Sequence, residues 1–121
     1  MLMQTIKNIP GRVVRAFGYS FAGFRSALLK EESFRLETLG LALLLAVLLP
    51  VPWPAWKKLV LTAAYLLIPL AELFNSALED LCDLVSPDFN PYVKSAKDKG
   101  SAAVLLAIIV AVLTLVALIL F

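Results

Sequence analysis

Between Ile6 and Leu29 the apolar positions Val13, Phe17, Phe21, Phe24 and Leu28 follow one another at steps of four, four, three and four, the period of one helical face. Pro10 suits the first turn of such a helix. Lys7, Arg12, Arg15 and Arg25 make the remainder basic. The pattern predicts an amphipathic helix, about residues 6–29, lying on an anionic membrane surface. A soluble core helix would need another soluble segment to pack on, and the chain offers none. From about Ser33 to Leu49 the periodicity gives way to an apolar run interrupted after Leu39 only by Gly40, and Pro50, Pro52 and Pro54 stop it. Trp53 and Trp56 mark an interfacial belt, with Lys57 and Lys58 expected to face water. A third segment runs from Leu59 to about Val85, with Pro69 inside it, where a kink is expected. Ser86-Pro87-Asp88-Phe89-Asn90-Pro91 reads as a turn-rich loop. The last segment, 101–121, carries no charge and is long enough to span a bilayer. Its opening, Gly100-Ser101-Ala102-Ala103, is small enough for close helix–helix approach.

The expected fold is an all-α membrane protein, one domain over residues 1–121. The surface helix covers about 6–29, and three transmembrane helices cover 33–49, 59–85 and 101–121. Composition agrees: 61% of the 121 residues are hydrophobic and 17% charged, too few polar groups to coat a soluble domain of this size. A net charge of +2 gives no electrostatic footprint for nucleic acid. The absence of histidine removes histidine acid–base chemistry, histidine zinc motifs and serine triads together. Cys82 has no disulfide partner in the chain and reads as a small packing residue. No cleavable signal peptide is expected, because residues 1–30 carry arginines throughout and lack a compact apolar core. Six Lys and Arg precede or include Arg35, and Lys94, Lys97 and Lys99 follow the third segment, against Lys57 and Lys58 in the loop between the second and third. Nine against two places the amino terminus and the second loop in the cytoplasm.

Against this apolar background one carboxylate stands out. The run 59–71 continues into Glu72-Leu73-Phe74-Asn75-Ser76-Ala77-Leu78-Glu79-Asp80. A charge near the middle of a spanning helix costs roughly 2.5–3.5 kcal/mol on insertion scales, so it persists where it faces protein and usually has a task there. At 100° per residue Glu72, Asn75, Ser76, Glu79 and Asp83 share one face, descending from membrane depth to the interface. Such a stripe could serve a lipid at one end and a soluble reactant at the other. Near the cytoplasmic side lie Arg12 and Tyr19, then Glu31, Glu32, Arg35 and Glu37, then Glu79, Asp80 and Asp83, with Lys97 and Asp98 before the last helix. Carboxylates beside basic residues suit a magnesium–nucleotide complex, since Mg²⁺ takes one or two carboxylates plus phosphate oxygens. No GxxxxGK[ST] loop and no kinase-type GxGxxG occurs. The same residues also read as solvated interface charges, a helix exit, or, for Glu72 and Asn75, a polar pair joining helices. The residues alone leave an enzyme and a small transporter or channel subunit, with Glu72 as an ion relay, both open.

Four stretches carry a resemblance: Gly18-Tyr19-Ser20-Phe21-Ala22-Gly23-Phe24-Arg25, Phe34-Arg35-Leu36-Glu37, Glu72-Leu73-Phe74-Asn75-Ser76-Ala77-Leu78-Glu79, and Ala96-Lys97-Asp98-Lys99-Gly100-Ser101-Ala102-Ala103-Val104. Together they resemble the small prokaryotic diacylglycerol kinases over nearly the whole chain. The related undecaprenol kinases share the fold and the Glu-x-x-Asn-[Ser/Thr]-Ala-x-Glu stretch. The Lys97–Ala103 and Gly18–Ser20 regions look more like the diacylglycerol branch. The resemblance implies a multi-pass homotrimer in the bacterial cytoplasmic (inner) membrane with sites shared between subunits. It also implies ATP-dependent phosphorylation of the primary hydroxyl of diacylglycerol to phosphatidate, with Mg²⁺ as cofactor. By similarity Glu72 is the general base, and Glu31 and Glu79 hold the metal. Arg12, Tyr19, Glu31, Glu79, Asp88, Phe89, Asn90, Lys97 and Asp98 contact ATP. The lipid site draws on Arg12, Ala16, Phe17, Gly18, Tyr19, Ser20 and Phe21, on Arg25, Ser26, Ala27 and Leu28, and on Ser33, Phe34, Arg35, Leu36 and Glu37. Pro50, Val51, Pro52, Trp53, Lys58, Glu72 and Ser101 complete that set, with Asn75 and Asp83 in support.

Overall fold

The structure, a computed structural model, describes residues 9–121. These residues form four α-helices: α1 (Ile9–Lys30), α2 (Glu32–Leu48), α3 (Ala55–Val85) and α4 (Pro91–Leu120). They divide into two compact units. The described part of the first covers residues 9–31, and the second is Glu32–Phe121. Of the expected surface helix, positions 6–8 lie outside the described residues.

In the first unit α1 is one continuous helix of 22 residues. Its apolar stripe is laid bare, with Val13, Phe17, Phe21 and Phe24 all exposed. An apolar face of this kind beside arginines is what a membrane surface covers.

In the second unit α3 packs against both α4 and α2, more extensively against α4. The α3–α4 pair is antiparallel. Leu61 meets Leu118 at one end, Ile68 meets Ala107 and Ala111 midway, and Lys97 reaches Asp83 at the other end. Leu48 of α2 joins the first cluster, with Leu44 and Trp53 packed on it. Small side chains such as Ala64, Ala107 and Ala111 are buried, as close packing between apolar helices requires. Large ones such as Leu105, Leu106, Leu113, Ile119 and Leu120 are exposed. In water this distribution would be inverted. Lipid accounts for it, because a bilayer makes no hydrophobic demand that leucines be hidden. Hydroxyls in the apolar helices satisfy themselves locally: Thr38, Thr62 and Thr114 each donate to the carbonyl four residues earlier, at 2.8 Å.

Two helices, Ala55–Val85 and Pro91–Leu120, are long and apolar enough to cross a membrane. The expected span at 33–49 is a helix of 17 residues, Glu32–Leu48. At 1.5 Å per residue it is about 25 Å long, short of the hydrocarbon thickness of roughly 30 Å. The helix expected from Leu59 begins four residues earlier, directly after Pro54, and runs through Pro69 without interruption. The one expected at 101–121 begins ten residues earlier. Asn90 Oδ1 accepts from the backbone N–H of Tyr92 at 2.9 Å and of Val93 at 3.4 Å, and Pro91 occupies the first turn. Lys94, Lys97 and Lys99 therefore ride on the first turns of α4 rather than in a loop, and the connection itself is only residues 86–90.

The two lysines expected to face water do structural work instead. Lys57 Nζ donates to the Leu118 carbonyl at 2.8 Å and lies 5.7 Å from the centroids of both Trp53 and Trp56. Lys58 Nζ donates to the Leu49 carbonyl at 2.8 Å. Carbonyls at helix C-termini lack intrahelical donors and carry partial negative charge, so an ammonium answers both deficits. Lys57→Met, which keeps an apolar stem, is expected to lower stability by about 1–2 kcal/mol, from the lost carbonyl bond and cation–π contacts. Denaturation of the detergent-solubilised protein, compared with wild type, measures it.

Candidate functional site

The stripe anticipated on α3 has the graded exposure its position requires. Glu72 is 9% exposed, the one buried charged side chain among the described residues. Asn75, Ser76 and Glu79 are half-buried and Asp83 is exposed. Seven residues at 1.5 Å each separate Glu72 from Glu79 by roughly 10 Å along the axis. Asn75 bridges part of that interval, its Nδ2 donating to Glu79 Oε1 at 3.4 Å. Asn75 Oδ1 is buried without a hydrogen-bond partner.

At the exposed end α4 supplies one cation to α3 and pairs another within itself. Lys97 Nζ lies 2.6 Å from Asp83 Oδ1, and Lys94 Nζ lies 2.6 Å from Asp98 Oδ2 one turn along. Lys97 precedes the charge-free stretch of α4. The hydrogen bond it donates to Asp83, reinforced by the charges of Asp83 and Glu79, holds its pKa above the ordinary lysine range. It stays cationic at any physiological pH. Beside these pairs, a hollow of about 270 Å³ is lined by Asp83, Asp88, Phe89, Asn90, Lys94, Lys97 and Asp98, among others. The loop residues expected near a nucleotide thus share one depression with Lys97 and Asp98. Lys94 was not anticipated, although its spacing of four from Asp98 is an ion-pair signal.

Glu37 approaches from α2. Tyr65 of α3 donates its hydroxyl to the Glu37 carbonyl at 2.9 Å, while Glu37 Oε2 is buried without a hydrogen-bond partner. The room for that tyrosine comes from Gly40, where any side chain would collide with the Tyr65 hydroxyl. In the sequence Tyr65 is, with Thr62, a polar residue in the otherwise apolar run 59–71, and nothing in its spacing points to Glu37. Other expected lipid contacts lie far from this region. Lys58 is fourteen residues from Glu72 on the same helix, about 21 Å along the axis. Pro50, Val51, Pro52 and Trp53 lie between α2 and α3, and Trp53 packs on the cluster of Leu48, Leu61 and Leu118. Ser101 is exposed on α4 beside Gly100.

In the first unit Arg12, Ala16 and Tyr19 share a shallow hollow with Val13 and Arg15. Phe17, Gly18, Ser20, Phe21, Arg25, Ser26 and Leu28 are exposed along the same helix, and Ala27 is buried. Glu31 is half-buried at its end, its backbone N–H donating to the Ala27 carbonyl at 2.8 Å. In the second unit Phe34 is buried, while Ser33, Arg35 and Leu36 are exposed.

Among the described residues no group of three or more His, Cys, Asp or Glu side chains forms a self-contained metal site. A magnesium ion held with a nucleotide does not need such a group, because one or two carboxylates and the substrate phosphates ligate it. Glu79 fits such a role. Its carboxylate enters no ion pair among the described residues and receives only the long bond from Asn75.

The prokaryotic diacylglycerol kinase family model matches residues 18–120. The chain belongs to that family. Its members are lipid kinases, and the match covers every residue of the α3 stripe. The chain is 42% identical over 106 residues to a diacylglycerol kinase of Escherichia coli K12, covering 85% of this chain and 84% of that one. It is 40% identical over 107 residues to one of Pseudomonas aeruginosa, with the same coverage. A diacylglycerol kinase of Synechocystis is 38% identical over 115 residues, 93% of this chain and 65% of its own. Family membership and two helices able to cross a bilayer agree on a bacterial membrane protein.

Proposed function

We propose that this chain transfers the γ-phosphoryl group of ATP to the free primary hydroxyl of diacylglycerol, giving phosphatidate at the cytoplasmic face of the bacterial inner membrane. The observation that carries the reading is the gradient on α3, from buried Glu72 through half-buried Glu79 to the exposed Asp83–Lys97 pair. Glu72 takes the proton from the lipid hydroxyl as its oxygen bonds to the γ-phosphorus. The bond from that phosphorus to the β–γ bridging oxygen breaks, and ADP leaves. Glu31 and Glu79 would hold magnesium, which would neutralise the charge of the transferring phosphates. Arg12, Tyr19, Lys97, Asp98 and the Asp88-Phe89-Asn90 loop hold the nucleotide. Residues Ala16–Phe21, Arg25–Leu28 and Ser33–Glu37 hold the lipid, Asn75 and Asp83 support the carboxylates, and the short α2 is the first of three spans. The whole chain acts as one catalytic domain.

A transporter would need polar groups continuing beyond Glu72 toward the other face. Thr62 and Tyr65 are the polar side chains of 59–71, and both are committed to backbone carbonyls. The test of the enzymatic reading is an assay in mixed micelles with labelled ATP and Mg²⁺, diacylglycerol and undecaprenol being offered separately. Label on diacylglycerol is expected. Label on undecaprenol alone, or flux without ATP consumption, would overturn it.

The active form is a homotrimer with sites built between neighbours. A groove of about 520 Å³ along α3 and α4, lined by Leu67, Leu70, Phe74, Ala103 and Val110 among others, supports association of apolar helices there. If sites draw Glu31 and Glu72 from different chains, mixing inactive Glu31→Gln and Glu72→Gln subunits restores part of the activity. No recovery, with subunit exchange verified by crosslinking, would place both residues in one subunit's site.

A further inference from the structure

Gly100 sits inside α4, where glycine is a poorer helix former than alanine. Its φ is not in the left-handed region, so backbone freedom does not account for it. Space does. A Cβ built on Gly100 would collide with Asn75 Oδ1 and press on Asn75 Cγ at 3.3 Å and Leu78 Cδ2 at 3.2 Å. The atom met first is the tip of a side chain, so the Asn75 carboxamide would yield before either helix moved. That carboxamide has little else to hold it: Oδ1 is buried without a hydrogen-bond partner, and Nδ2 makes the one bond, to Glu79 Oε1.

We propose that Gly100 is a positioning residue for the metal end of the site: its missing side chain is the slot that seats the Asn75 carboxamide, and the seated amide aims the Glu79 carboxylate. The proposal rests on Glu79 holding magnesium with ATP. It assigns the close approach of α3 and α4 at this level to the aim of one side chain. Helix packing in general is a separate matter, served by the alanines further along α4.

Two readouts test it. Asparagine occurs only at positions 8, 75 and 90, so ¹⁵N-asparagine labelling in micelles gives few side-chain amide signals, and Asn75→Ala identifies the relevant one. Gly100→Ala is expected to shift the Asn75 signal, and so is Glu79→Gln. Binding of a non-hydrolysable ATP analogue, titrated with Mg²⁺, is expected to need roughly fivefold more Mg²⁺ in Gly100→Ala, the scale of one weak hydrogen bond. The Asn75→Ala/Gly100→Ala double variant removes the collision and guards against misfolding. It is expected to need no more Mg²⁺ than Asn75→Ala alone. An unmoved Asn75 signal in Gly100→Ala would overturn the proposal, as would an equal rise in Mg²⁺ requirement with and without Asn75. Glu79→Gln with an unchanged Mg²⁺ requirement would instead remove the metal reading of Glu79, while the amide signal still decides whether Gly100 seats Asn75.

Discussion

Glu72→Gln is expected to abolish phosphoryl transfer, by at least the roughly 10²–10⁴-fold that a positioned general base contributes, while Mg–ATP binding stays near wild type. The amide is almost isosteric with the carboxylate, so the packing around this buried position is retained. What it lacks is the ability to accept the hydroxyl proton. Burial makes the substitution informative about chemistry rather than folding, because removing a charge from membrane depth does not penalise insertion. A base for a lipid hydroxyl belongs near the acyl region, and Glu72 is the deepest carboxylate on the stripe. Single-turnover assays, with nucleotide binding measured in parallel, check the separation of the two effects.

Glu79→Gln is expected to act differently although it changes the same chemical group on the same helical face. Nearly two turns toward the interface, half-buried and free of ion pairs among the described residues, Glu79 lies where hydrated Mg–ATP would arrive. Its amide variant should bind nucleotide more weakly and raise the Mg²⁺ needed for half-maximal activity by roughly 10–100-fold, the range typical when support of a metal is lost. Excess Mg²⁺ should restore part of its turnover. No Mg²⁺ concentration should restore Glu72→Gln.

Much of this arrangement was legible in the chain because it obeys simple periods. A carboxylate after a thirteen-residue stretch whose only polar members are Thr62 and Tyr65, followed by polar residues at three, four, seven and eleven, specifies a single helical face descending to water, and the exposures of Glu72, Asn75, Glu79 and Asp83 follow that order. Features that depend on a second helix were not legible. The charge-free run that marks a span opens at Ser101, but the Asn90 cap and Pro91 set where α4 begins, and lysines are good helix formers. Lys57 and Lys58 read as interfacial charges because the carbonyls they reach, Leu118 and Leu49, are revealed only when the helix ends come together. Gly40 and Gly100 likewise look like generic small residues in sequence. Only packing pairs the first with Tyr65 and the second with Asn75.

The central claim is that the two ends of one helical stripe divide the work, the buried carboxylate taking the proton and the shallower one holding magnesium. Equilibrium binding of a non-hydrolysable ATP analogue, titrated with Mg²⁺ for Glu72→Gln and Glu79→Gln side by side, tests it most directly. The account predicts near-native nucleotide affinity and Mg²⁺ dependence for Glu72→Gln, with weakened affinity and a displaced Mg²⁺ curve for Glu79→Gln. Equal loss of nucleotide affinity in both variants would contradict it.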